Sequence, residues 1–235
     1  MDSLRKTALI TGALYLVTFI TSIPALILYG PVLNNSGYIL GHGADTRIYV
    51  GAFLEVLLMI SGIGTAVAIF PVVRRQNESV ALGYVAARVV EAVIVGVGIV
   101  SLLAVVSLRR DFAGVSGTDT AALAIAGKTL VAIHKWTFLI GPAFCAGIES
   151  GLMLGYLMYR SGLVPRPIAV LGLVGGTLAF IAATLELFAV FPQVSATSGI
   201  LTLPEALFEA TLGMWLIVKG FRPSPITAAL ADRRD

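Results

Sequence analysis

A single cysteine, Cys145, stands in the 235 residues, so no intramolecular disulfide can form and nothing follows about redox compartment. The two histidines, His42 and His134, are too few for a zinc hydrolase of the His-Glu-x-x-His kind, and no metal site is expected. Ser101, Ser107 and Ser150 have no base at a motif spacing, which leaves nucleophilic catalysis without support. The GKT at residues 127–129 is not a phosphate loop: the first glycine of that motif would fall on Ala122, and no strand precedes it. Charge is the scarcest commodity. Asp, Glu, Lys and Arg make up 12% of the chain, where a soluble domain carries about a quarter.

What fills the chain instead is apolar. Hydrophobic residues are 57% and the mean hydropathy is +0.94, which excludes an ordinary soluble domain and reads as a multi-pass membrane protein in contact with the lipid bilayer. Six runs are long enough to be spans, near residues 7–29, 48–73, 81–108, 136–159, 167–191 and 204–218. The last is short and can begin within 197–203. Pro24 and Pro142 fall inside spans and should kink or open them. The first run is too long for the core of a cleaved signal and is expected to stay as a helix.

The basic residues set the orientation. Ten (Arg5, Lys6, Arg74, Arg75, Arg160, Arg166, Lys219, Arg222, Arg233, Arg234) flank the spans on one side, and five (Arg47, Arg109, Arg110, Lys128, Lys135) on the other. The positive-inside rule makes the first side cytoplasmic, with both termini inside the plasma membrane. The net charge of +3 and the pI near 9.2 are explained by these short loops and imply no nucleic-acid partner. The turns on the first side, RRQNES and RSGLVPR, are tight. On the other side residues 30–47 are rich in Gly and Asn. Residues 111–135 end in AALAIAGKTLVAIHK, a helix that either lies at the outer interface or runs into span four. The expected fold is therefore all-α: a polytopic helix bundle of six transmembrane helices plus an outer interfacial helix, one domain over 1–235. Gly151 with Gly155, and Gly172 with Gly176, have the small-xxx-small spacing of close helix packing. Tyr84, Trp136, Tyr156, Tyr159 and Trp215 read as interfacial anchors.

Three stretches carry a family resemblance: FLEVLLMISGIGTAVAIFPVVRRQNESVALGYVAARVVEAVIVGVGIVSLL, GPAFCAGIESGLMLGYLMYRSGLVPRPIAVLGLVGG and LPEALFEATLGMWLIVKGFRPSP. Together they resemble a bacterial family of six-span membrane proteins catalogued as a domain of unknown function, with YRSGLVPR and WLIVKGF as the most specific marks. The resemblance implies a shared topology and the same residue types at Glu55, Arg74, Arg88, Glu91, Glu209 and Trp215. Glu149 departs from that pattern, which more often has Asn. No activity comes with it.

Charges inside the spans are the candidate site. Arg88 and Glu91, three apart, share a helix face deep in span three. A charge there costs roughly 2.5–3.5 kcal/mol on insertion scales and so needs a partner or a water-filled cavity. Glu55, Glu149, Glu186, Glu205 and Glu209 are the other intramembrane carboxyls, with His134 and Lys135 at the outer boundary. One Arg cannot neutralise so many. Counting 1.5 Å per residue from the span ends puts Glu91 and Glu149 near the midplane, and Glu55, Glu186, Glu205 and Glu209 in the outer half. An outward-facing acidic pocket narrowing to Arg88 is expected, binding or transporting a cation, a proton or a small solute. Two other readings stay open: an intramembrane enzyme acting on a lipid or isoprenoid, and an accessory subunit whose charges hold a bundle together. The chain is short for a monomeric transporter, which a homodimer would answer. No cofactor is identified.

Overall fold

The computed structural model describes residues 3–35, 37–41, 45–113 and 118–231; His42, Ser116, Arg233 and Arg234 lie outside the described residues. Six helices are long and apolar enough to cross a membrane, and the chain is an all-α, multi-pass membrane protein. They are α1 (Ser3–Asn34), α2 (Asp45–Val73), α3 (Glu78–Asp111), α4, α5 (Arg166–Leu187) and α6 (Ala196–Val218); a short α7 (Pro225–Ala231) follows. The helix expected between spans three and four is the start of α4: it begins at Thr118 and continues without interruption to Ser161.

Local chemistry sets the boundaries. Asn77 caps α3 by accepting from the Val80 N–H at 3.1 Å, and Ser195 caps α6 by accepting from the Ser198 N–H at 3.2 Å. Helix α4 ends on Gly162, whose φ of +69° is the left-handed cap that glycine adopts without steric cost. Pro167 then sits in the first turn of α5. Helix α6 starts at Ala196, eight residues before Pro204, so the sixth span gains two turns over the sequence estimate.

Prolines act differently in the two spans where they were expected to matter. Helix α1 runs on through Pro24 and Pro31. In α4 the turn at Leu139–Ala143, which holds Pro142, is π-helical, and so is Gly147–Leu154. Pro142 offers no N–H, and the widened turns absorb the lost bond.

Neighbours in sequence are neighbours in space. Each helix from α1 to α6 packs on the next, and α6 returns against α1, closing a ring. Arg5 at the start of α1 donates to the Leu216 carbonyl at 3.0 Å and the Ile217 carbonyl at 2.5 Å, a cation on the free carbonyls that end α6. The start of α1 and the end of α6 therefore share one end of the bundle, called here the terminal end. There YRSGLVPR meets the residues that follow WLIVKGF: the Arg222 N–H donates to the Leu163 carbonyl at 2.7 Å, and the Ser224 hydroxyl to the Ser161 carbonyl at 2.5 Å.

Apolar clusters fill the ring, two large and one small (Ala52, Val95 and Ile99). One large cluster, toward the terminal end, includes Tyr15, Ile69, Tyr84, Leu154, Met158, Phe208 and Leu212. The other large one, toward the opposite (distal) end, includes Tyr29, Tyr38, Ile39, Ile48, Leu102 and Val105. Along α3, Arg88 falls between these two. Large apolar side chains such as Ile20, Ile27, Val100 and Phe188 point outward, as a lipid-facing surface requires.

Candidate functional site

Arg88 lies near the middle of the ring and is 5% exposed. Its Nη1 donates to Glu91 Oε2 at 2.9 Å, one turn along the same helix. Its Nη2 donates to Glu209 Oε1 of α6 at 3.0 Å and to the Ser150 hydroxyl of α4 at 2.5 Å. Its Nε stands 2.9 Å from Glu149 Oε1, close but poorly aligned; neither Glu149 oxygen accepts a well-directed hydrogen bond, though the carboxyl is fully buried. Tyr15 of α1 and Tyr84 of α3 present their rings to the guanidinium at 5.7 and 5.9 Å, within cation–π range, and their hydroxyls bond each other at 2.9 Å. Thr65 of α2 faces the Tyr84 hydroxyl. Gly62 of α2 lies beside Nη1: a Cβ there would stand 3.9 Å from it, an ordinary contact.

The π-helical turn explains how α4 serves this centre. Glu149 and Ser150 are consecutive, yet both reach Arg88. The extra residue in a π turn rotates the helix face and brings adjacent side chains inward. The crossing of α4 on α5 does the rest. A Cβ on Gly151 would fall 2.2 Å from the Gly176 Cα, so these backbones touch where any side chain would part them. Glu205 of α6 lies in the same cradle. Its Oε2 is 2.5 Å from that Cβ position, and Gly175 faces its backbone. Glu205 is 4% exposed and neither of its oxygens has a hydrogen-bond partner. It precedes Glu209 by one turn, on the same face of α6.

Glu55 and His134 form a second cluster. The Tyr29 hydroxyl donates to Glu55 Oε2 at 2.9 Å, the Tyr29 ring meets the His134 ring edge-on at 5.4 Å, and His134 Nδ1 is 3.3 Å from the Gly98 carbonyl. Glu55, His134 and Pro142 line a cavity of about 10 Å³, room for about one water. Glu186 stands at the distal end of α5 and faces the Ser198 hydroxyl.

Of the four carboxyls expected in the outer half, Glu55 accepts from Tyr29, Glu186 faces Ser198 and Glu209 pairs with Arg88. Of the residues singled out from the sequence, the helices bring Arg88, Glu91, Glu149 and Glu209 into contact, with Glu205 a turn away. Tyr84 is not an interfacial anchor: it is fully buried against Arg88. Tyr15 and Ser150 are the contributors that sequence patterning missed. Tyr15 looked like one more aromatic in an apolar run, and Ser150 had only its neighbour Glu149 to point to it.

A family model described as Domain of unknown function (DUF4386) matches residues 10–220, and the chain belongs to that family. No curated protein and no solved structure matches it.

Proposed function

We propose that this DUF4386 protein is a bacterial plasma-membrane protein, with both termini cytoplasmic, that binds protons at the carboxyls around Arg88 and passes them between the two faces of the membrane. The observation that carries this reading is the charge count at one atom group. A single buried guanidinium meets three carboxylates at 2.9, 2.9 and 3.0 Å. One positive charge balances one of them. In a medium of low dielectric the remaining negative charge needs compensation by protons or by a bound cation. The proton is favoured over a metal ion because, among the described residues, no group of three or more His, Cys, Asp or Glu side chains is arranged to hold a metal.

Glu205, Glu209, Glu149 and Glu91 then form a series of carboxyls leading from α6 to α3, with Arg88 as the fixed counter-charge. The test is proton flux. Purified protein is reconstituted in vesicles with an internal pH dye, and a potassium gradient with valinomycin supplies the driving force. Acidification faster than in protein-free vesicles is expected, reduced about tenfold or more in Glu149→Gln and Glu209→Gln. Flux equal to that of empty vesicles overturns the reading.

One observation favours a second reading. Arg88 is enclosed by side chains from α1, α3, α4 and α6, so the centre also suits a register lock in an accessory subunit. That role gives no flux, and loss of stability alone when Glu149 or Glu209 is neutralised.

A further inference from the structure

A separate cavity opens at the distal end, away from Arg88. It lies between the last turn of α1, the short turn Tyr38–Leu40, α3 and the first half of α4, and its volume is about 350 Å³. That is the lower range for small-molecule sites. Its polar members are Asn34, Asn35, Lys128 and Lys135. The two lysines are seven apart on α4, so they project from the same face about 10 Å apart along the axis. No carboxylate lines the cavity among the described residues. The rest of the wall is apolar, chiefly Val32, Ile39, Val105 and Val131. Gly127 shapes it: a Cβ there would fall 2.9 Å from Ile39, so glycine lets that side chain lie against α4.

Tyr38 forms part of the inner wall and is buried. Its ring is held by the Arg109 guanidinium at 4.5 Å, and Arg109 in turn pairs with Asp45.

The level of the cavity selects the occupant. Trp136, next to Lys135, is exposed, and Arg110 donates to the exposed Tyr49 hydroxyl at 3.1 Å. Such aromatic and basic groups mark the boundary between hydrocarbon and water. A ligand here meets two cations and two amides on one side and an apolar wall on the other. We infer that the cavity binds the phosphate headgroup of an anionic phospholipid, with the upper part of an acyl chain against the apolar wall.

The test is thermal melting of the full chain in neutral detergent with added lipid. Phosphatidylglycerol is expected to raise Tm by about 2–4 °C, as a ligand that binds the folded state does. Phosphatidylcholine and inorganic phosphate are expected to raise it by less than half as much. Lys128→Gln with Lys135→Gln should abolish the phosphatidylglycerol shift, and Lys128→Arg with Lys135→Arg should keep it. Lys219→Gln, a basic residue at the terminal end, should leave it intact. An equal shift with inorganic phosphate, an equal shift in the double Gln variant, loss of the shift in Lys219→Gln, or no shift in the wild type overturns the inference.

Discussion

Arg88 of α3 and Glu209 of α6 meet at 3.0 Å across 121 residues of sequence. Helix α6 packs on α1 and α5 in the ring, so this ion pair reaches across the interior to a helix that is not its neighbour. Removing Arg88 leaves three carboxyls without their cation and two tyrosine rings without the group they face. Arg88→Ala is expected to cost about 3–5 kcal/mol of folding stability, the range for breaking a buried pair from one side. Arg88→Lys should be intermediate, because an ammonium replaces the planar fork that reaches Glu91, Glu149 and Glu209 together. Unfolding in mixed detergent micelles measures both. An Arg88→Ala protein as stable as the wild type would mean that the contacts carry little energy.

Glu205 is a carboxyl with no partner, packed among glycines. Replacing a poorly compensated buried ionisable group with an apolar one of similar volume is often neutral or stabilising by about 1–4 kcal/mol. Glu205→Met is expected to raise Tm while lowering proton flux in vesicles. A gain in stability with unchanged flux would assign Glu205 no part in proton movement.

The α4–α5 crossing gives a contrast between two glycines. At Gly151 an added methyl meets the Gly176 backbone at 2.2 Å, so one helix must move. Gly151→Ala is expected to cost about 1–3 kcal/mol or more. At Gly199, in the first turn of α6, nothing lies within 4 Å of the added methyl. Gly199→Ala should be neutral or gain up to about 1 kcal/mol from helix propensity. Equal costs at the two positions would contradict the close crossing.

Tyr29 supplies the hydrogen bond that Glu55 Oε2 accepts. Tyr29→Phe keeps the ring against His134 and deletes only the donor. A buried acceptor left unpaired costs about 1–3 kcal/mol, and that loss is expected in the same unfolding measurement. Pairing the change with Glu55→Leu should remove most of the penalty, since neither polar partner then remains.

Orientation has its own test. In a Cys145→Ala background, a cysteine at Asn35 is expected to react with a membrane-impermeant thiol reagent in intact cells, and one at Gln76 is not. Labelling at 76 but not at 35 would invert the topology.

The sequence by itself determined the class of the molecule. Six apolar runs in a chain with 12% charge leave little but a membrane helix bundle, because span length is fixed by bilayer thickness and helical rise. It also determined the Arg88–Glu91 pair, since residues three apart on a helix are neighbours whatever surrounds them. Helix spacing equally showed that Gly151 and Gly176 each stood in a close-packing pattern. It did not show that they would face each other. Which carboxyls would reach Arg88 was a matter of tertiary structure. Depth along a span sorts residues by level but not by azimuth around the bundle. Glu55, Glu205 and Glu209 were therefore indistinguishable until packing set Glu55 against Tyr29 and Glu209 against Arg88. Two π turns rotated Glu149 and Ser150 onto the guanidinium, and the crossing at Gly151 and Gly176 brought α5 and α6 close enough to enclose Glu205. These are backbone placements made by packing across the ring, and no local pattern in the chain encodes them.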